Sequence, residues 1–410
     1  MREGWKKVKL GDVCKLEKNK HQGEGLAYVG LEHIESGTGR FLGSLNPVNV
    51  RSETFCFDPQ HILFGRLRPY LNKVFLPDFK GHCSSEIFPM KVNTEILKSF
   101  LYYWITSQPI VNEINRTCTG TRMPRANVNE IMNFDINLPT LPEQKRIIAI
   151  LDEVFAGIDK AVANTEKNIA NVRELYENII INRIVGDPDT KDWSFSLVKD
   201  LAKSKKGSIR TGPFGSQLLH SEFVEDGVSV LGIDNVVKNK FLWGKRRYIN
   251  YKKYKELEKY TIKPFDVLIS IMGTCGRCAV VPEDIPLSIN SKHLCCITLD
   301  QKKCIPDFLH SYFLYHPIAR KYLKLNSKGS IMSGLNMGII KELPVRLPSL
   351  QEQRNIIEAI KELSSQSQQI EQIYQQKISA LTELKQSLLQ KAFSGELTSK
   401  SCDELEKAAA

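Results

Sequence analysis

Three loop regions of this chain concentrate residues that can contact a polyanion. The first is Gly65-Arg66-Leu67-Arg68-Pro69-Tyr70-Leu71-Asn72-Lys73. The second is Gly120-Thr121-Arg122-Met123-Pro124-Arg125-Ala126-Asn127. The third is Ser208-Ile209-Arg210-Thr211-Gly212-Pro213-Phe214-Gly215-Ser216, which follows Lys203-Ser204-Lys205-Lys206. Arginine forks onto the O6 and N7 of guanine in a major groove, or clamps a phosphate; hydroxyl and amide side chains reach either. Glycine lets a backbone approach closely. Arg66, Arg68, Lys73, Arg122, Arg125, Lys206, Arg210, Thr211 and Ser216 are therefore candidate DNA contacts. The first loop is matched later by Gly273-Thr274-Cys275-Gly276-Arg277. The second is matched by Lys328-Gly329-Ser330-Ile331-Met332-Ser333-Gly334-Leu335-Asn336. That adds Arg277, Lys328, Ser330 and Asn336, and Lys292 is a further basic candidate. Loops of this composition occur on many protein surfaces; their recurrence is what raises them above that background.

Residues that would carry out a reaction are not assembled in the sequence. There is no Gly-x-Gly-x-x-Gly, no phosphate loop ending Gly-Lys-Ser/Thr, and no Asn-Pro-Pro-aromatic motif for methylating an exocyclic amine. Asp284 with Asp300 resembles a metal-nuclease carboxylate set only faintly. No catalytic residue is expected. Cys275, Cys278, Cys295 and Cys296 could form a zinc site, but neighbours on a strand point to opposite faces and the first half of the chain has no counterpart. Reduced thiols and no bound metal are the expectation.

Charge and repetition support the polyanion reading. The net charge is +11. Residues 1–140 carry 18 Lys and Arg against 14 Asp and Glu, and residues 188–345 carry 25 against 15. Residues 141–187 carry 6 against 8, and residues 346–410 carry 8 against 9. The basic lobes suit DNA; the slightly acidic segments suit a protein-binding spacer. Leu138-Pro139-Thr140-Leu141-Pro142-Glu143-Gln144-Lys145-Arg146 returns 209 residues later as Leu347-Pro348-Ser349-Leu350-Gln351-Glu352-Gln353-Arg354-Asn355. A molecule that does one thing twice is implied.

The elements that position these loops follow the same plan twice. Short strands are predicted at 26–31, 61–65, 87–92, 230–235 and 264–269, and single helices at 97–115 and 306–325. Two long amphipathic runs follow the repeated motif. The first places Ile147, Leu151, Val154, Ile158, Ala161, Thr165, Ile169, Val172, Leu175 and Ile179 on its seam. The second places Ile356, Ile360, Leu363, Ser367, Ile370, Ile373, Leu381, Leu384 and Leu388 there. Gly186 with Pro188, and Gly395, should end them. Each is ~40 residues and so roughly 60 Å long. The two are expected to form an antiparallel coiled coil, packed less tightly around Ser364-Ser365-Gln366-Ser367-Gln368-Gln369. The expected fold class is α+β, with two similar mixed lobes separated by the helices. The expected segments are 1–140, 141–187, 188–347, 348–398 and a disordered tail, 399–410.

In this arrangement the chain resembles the specificity subunit of a type I restriction-modification enzyme. The resemblance rests on the paired Leu-Pro-x-Leu-x-Glu-Gln starts of the long helices, and on Trp5 and Trp193 at the starts of the lobes. The Gly212-Pro213-Phe214-Gly215-Ser216 turn and the closing Lys391-Ala392-Phe393-Ser394-Gly395-Glu396-Leu397 complete it. It implies a noncatalytic subunit whose lobes are target recognition domains, each reading half of a bipartite duplex. It implies that the helices are a ruler and a dock for two methyltransferase subunits, joined by restriction and translocase subunits. S-adenosylmethionine, ATP and Mg would then lie on those partners, with no cofactor on this chain. Glu143, Gln144, Glu352 and Gln353 occupy equivalent places suited to two identical partners; the other reading is that they only cap the helices. No membrane span is expected, and the location implied is cytoplasmic. The alternatives are a stand-alone two-lobed DNA-binding or architectural protein, and a scaffold whose basic lobes bind an acidic protein.

Overall fold

The computed structural model describes residues 4–21, 25–48, 50–186, 193–327 and 334–398. Pro188, Lys328, Ser330 and the tail 399–410 lie outside the described residues. The chain divides into two units, Met1–Lys167 with Tyr374–Ala410, and Asn168–Ile373. Each unit contains one lobe and part of both long helices. No helix among the described residues is long and apolar enough to cross a membrane.

In the first unit the lobe is closed by its own ends. Lys6–Lys9 pairs antiparallel with Asp135–Leu138, Val8 opposite Ile136. The chain therefore enters and leaves side by side, and the exit strand feeds directly into the long helix. Behind it a four-stranded antiparallel sheet runs in the order Cys14–Leu16, Ile87–Val92, His61–Gly65, Val74–Phe75. A smaller sheet contains Ala27–Val29 parallel to Gly81–Ser84, with Thr54–Phe57 on its other side. The Phe-rich cluster of Phe55, Phe57, Phe75 and Phe88 fills the space between.

The second unit repeats this plan. Ser194–Leu197 pairs with Pro344–Leu347, Ser196 opposite Val345. Its four-stranded antiparallel sheet has the order Ile209–Thr211, Leu294–Ile297, Val267–Ser270, Cys278–Val280. The single parallel pairing recurs between Val228–Leu231 and Ser288–Asn290. Cys278 and Cys295 lie in one core while Cys296 lies in another, so the Cys295-Cys296 pair does face both sides of its strand.

Each predicted lobe helix is in fact two. Lys98–Thr106 is followed by Gln108–Arg116, and Pro306–Tyr315 by Pro317–Asn326. The breaks fall at Ser107 and His316, both with extended backbone. Pro109 and Pro317 lack the N–H an interior helical residue needs, but each suits the first turn of a new helix. Pro317 also biases His316, directly before it, out of the helical region.

The long helices are Leu141–Val185 and Leu350–Ser394. They stop at Gly186 and Gly395, whose φ values of +67° and +84° are left-handed and favour glycine. They run antiparallel. In the first unit Asp159 meets Lys385 at 2.8 Å; in the second Arg173 meets Glu371 at 2.6 Å and Tyr176 donates to the Ile360 carbonyl. The seam departs from the predicted one. Leu175 and Ile373 are 61% and 62% exposed, and Ile370 and Leu384 are also outside. Their places are taken by Tyr176, Glu371, Tyr374, Ile378 and Lys385, which are part-buried. The reason is geometric: Ser367 to Ile370 to Ile373 is two consecutive three-residue steps, which drift off a 3.5-residue seam, whereas Ser367, Glu371, Tyr374, Ile378 alternates four and three.

Candidate nucleic-acid interface

In the first lobe the two candidate loops are zipped together. The Ala126 N–H donates to the Arg66 carbonyl at 2.9 Å and the Arg68 N–H to the Pro124 carbonyl at 2.7 Å. Arg68 is held at φ +51° and Asn72 at φ +46°, which is costly for arginine and tolerated by asparagine. Asn72 anchors this turn by donating to the Thr106 carbonyl at 2.8 Å. The outcome is a surface from which Arg68, Tyr70, Arg122 and Met123 project into solvent. Arg66 and Arg125 instead converge on one carboxylate, Glu86, at 2.9 and 2.8 Å. Burial pushes the Glu86 carboxyl up, but hydrogen bonds and charge from the two arginines outweigh it and hold the group below its ordinary value. Lys73, a predicted DNA contact, turns inward and donates to the Leu31 carbonyl at 2.6 Å.

The second lobe joins its matching loops in the same way. The Leu335 N–H donates to the Ile271 carbonyl at 2.8 Å, and Met272 bridges Gly334. A cleft of about 520 Å³ lies here, lined in part by Thr274, Arg277, Arg320, Lys324 and Ser327. Arg277 is exposed. Asn336, predicted to reach a base edge, acts locally instead. Its side chain accepts the Ile339 N–H at 2.9 Å and caps Met337–Lys341.

The third loop borders a second groove of about 860 Å³, whose cationic lining is Lys245, Arg246, Arg247 and Lys292. Gly212 lies so close to the strand end that a Cβ there would meet the Asn290 carbonyl at 2.0 Å. Burial, then the positive charges of Lys292 and Arg247, hold His293 below its ordinary pKa. Lys206 and Ser216 are exposed, and Thr211 is half-buried in its strand. Lys245-Arg246-Arg247 escaped the sequence reading. The available signal was three consecutive cations beside Trp243, over whose ring Arg246 lies at 4.7 Å.

Arg210 is not placed to touch phosphate. Its side chain is 10% exposed, and its Nη2 donates to Asp266, itself 1% exposed, at 2.8 Å. It also donates to the Thr298 hydroxyl at 2.9 Å and the Thr261 carbonyl at 2.5 Å. The Asp266 carboxylate accepts further bonds from the Thr298 hydroxyl and the Lys263 N–H. The arginine ties three chain segments together.

The repeated glutamines at the helix starts are also internal. Gln144 is fully buried. Its amide oxygen accepts the Leu97 N–H at 2.8 Å, and its amide nitrogen donates to the carbonyls of Glu95 and Pro139 at 2.9 and 3.0 Å. Gln353 does the same with Ile305, Lys303 and Pro348 at 2.8, 3.1 and 2.9 Å. Each staples the loop before a lobe helix to the start of a long helix, which leaves neither amide for a partner. Glu352 accepts from the Trp193 indole at 3.1 Å, and Glu143 accepts from the Thr398 hydroxyl. Among the described residues no group of three or more His, Cys, Asp or Glu could hold a metal ion.

A family model described as type I restriction modification DNA specificity domain matches residues 2–169 and again residues 190–379. The type I restriction enzyme EcoBI specificity subunit of Escherichia coli is 23% identical over 340 residues, covering 77% of this chain and 68% of that protein. A chain from a structure describing complex assembly and conformational transition of the type I R-M system has the same fold. Its TM-score is 0.77 at 20% identity, over 97% of this chain and 99% of that one. The HsdS subunit from Thermoanaerobacter tengcongensis superposes with a TM-score of 0.57 at 19% identity, over 97% and 98%.

Proposed function

Because the chain belongs to the type I restriction-modification DNA specificity family, we propose that it selects the duplex on which a multi-subunit methyltransferase and nuclease acts, each lobe reading one half of a two-part target. The observation that carries this is the repetition of one frame with different chemistry on its joined loops. One lobe offers Arg66, Arg68 and Arg122 there, the other Thr274 and Arg277. The lobes do no chemistry of their own. Two methyltransferase subunits bring S-adenosylmethionine, and restriction and translocase subunits bring ATP and Mg, in the cytoplasm where the DNA lies. The long helices act as the ruler, with half-sites on one face of the duplex about one turn apart. With the glutamines committed inside, the docking surface falls on the outer faces of these helices, where Leu175, Ile370 and Ile373 are exposed.

Exchanging residues 193–345 for the corresponding lobe of a relative should alter one half of the methylated motif, read by single-molecule sequencing of modified DNA. A change in both halves would show that the lobes do not read separately.

Exposed cations should contribute through phosphate. Lys206→Ala should weaken binding of the assembled methyltransferase equally on target and nontarget DNA. It should also flatten the dependence of log affinity on log salt by about one unit. An unchanged slope would place Lys206 off the DNA.

A further inference from the structure

The two arginines that share Glu86 are not equivalent. Arg125 spends its guanidinium on the protein: Nε and Nη2 donate to Glu86 Oε1 at 2.9 and 2.8 Å, and Nη1 reaches the Met123 carbonyl at 3.4 Å. Arg66 donates only Nε, to Glu86 Oε2 at 2.9 Å. Its guanidinium carbon lies 5.0 Å from the ring centre of Phe88, which is buried. Its two terminal nitrogens have no protein partner among the described residues. One edge of the Arg66 guanidinium is thus fixed by a carboxylate, and its carbon lies over an aromatic ring. The fork that matches two acceptors is left pointing away from its anchor. Two cations on one carboxylate leave a net positive site. The corresponding turn of the other lobe, Gly273-Thr274-Cys275-Gly276-Arg277, has no carboxylate-held arginine among the described residues.

We infer that Arg66 reads a guanine in the half-site of the first lobe, and that Glu86, braced by Arg125, is the positioning residue that aims it. The inference rests on the proposal that the lobes read DNA. The physical basis is preorganisation. A free arginine must give up rotamer freedom to meet O6 and N7 together, whereas one already held at Nε gives up less. A lysine in its place keeps the charge and loses the fork.

The test uses the chain assembled with its methyltransferase subunits and duplexes carrying its methylated motif. Each guanine is replaced singly by 7-deazaguanine, which lacks the N7 acceptor. One position in one half-site should weaken wild-type binding by roughly 10-fold. Arg66→Lys should weaken binding to the cognate duplex by roughly 10- to 100-fold, leave nontarget binding nearly unchanged, and abolish the 7-deazaguanine effect at that position alone. Glu86→Gln should lower the ratio of target to nontarget affinity, because it frees the fork and raises the local positive charge. A purely structural Glu86 would lower the melting temperature and leave that ratio intact. Arg66→Lys retains the ion pair, so it keeps the question answerable if Glu86→Gln does not fold. The inference is overturned if the half-site read by the first lobe contains no guanine on either strand, or if Arg66→Lys weakens target and nontarget DNA alike or changes neither. If the wild-type complex itself does not distinguish target from nontarget, the reading of the lobes fails, and this one with it.

Discussion

Arg210→Ala is expected to destabilise the second lobe by about 3–5 kcal/mol, the usual cost of removing one partner from a buried ion pair. The substitution leaves Asp266, 1% exposed, as an uncompensated charge. It also leaves the Thr261 carbonyl without the guanidinium that now donates to it. A domain whose whole stability is roughly 5–15 kcal/mol would lose a large share of it. Asp266→Asn should be similarly damaging, since the guanidinium would then be the unpaired charge. Replacing both, with Arg210→Met and Asp266→Leu, should recover only part of the loss, because the Lys263 N–H and the Thr298 hydroxyl also rely on the carboxylate. Hydrogen exchange followed peptide by peptide should show faster exchange confined to the strands Ile209–Thr211, Val267–Ser270 and Leu294–Ile297. The opposite result, unchanged exchange with a salt slope one unit flatter, would restore Arg210 to the DNA surface.

Gln144→Ala and Gln353→Ala are expected to cost at least about 3 kcal/mol each, the lower end for three orphaned backbone groups. This follows from about 1–3 kcal/mol for each buried backbone group left without a partner. Gln144→Ala orphans the Leu97 N–H and two carbonyls, those of Glu95 and Pro139. Gln353→Ala does so for Ile305, Lys303 and Pro348. Gln144→Glu and Gln353→Glu should be no better: the acceptor remains, but both donors are lost and a charge is buried. Each substitution should act on its own unit, which urea denaturation combined with peptide-level exchange resolves. If the glutamines were docking residues, the methyltransferase would fail to co-purify while unfolding stayed unchanged.

Local chemistry alone determined much of this protein. The long helices were legible because apolar residues recur over some eleven turns and glycine stops both of them. The strands His61–Gly65 and Ile87–Val92 were legible from short apolar runs, and the two-fold plan from the returning Leu-Pro-x-Leu-x-Glu-Gln motif. Tertiary structure decided which side chains remain available. Arg66 finds its carboxylate 20 residues away, Arg125 39 residues away and Arg210 56 residues away. No local pattern distinguishes an arginine that will meet a buried aspartate from one that will meet solvent, because the pairing depends on which strands become neighbours. The same holds for the repeated Gln144 and Gln353. Their recurrence announced a shared role, but that role is set by loops nearly fifty residues upstream that come to lie beside each helix start. On the long helices, apolar periodicity identified the elements, while the seam went to a four-and-three register that includes Glu371 and Lys385. Each found an opposite charge on the facing helix, and only the pairing of the two helices could supply it.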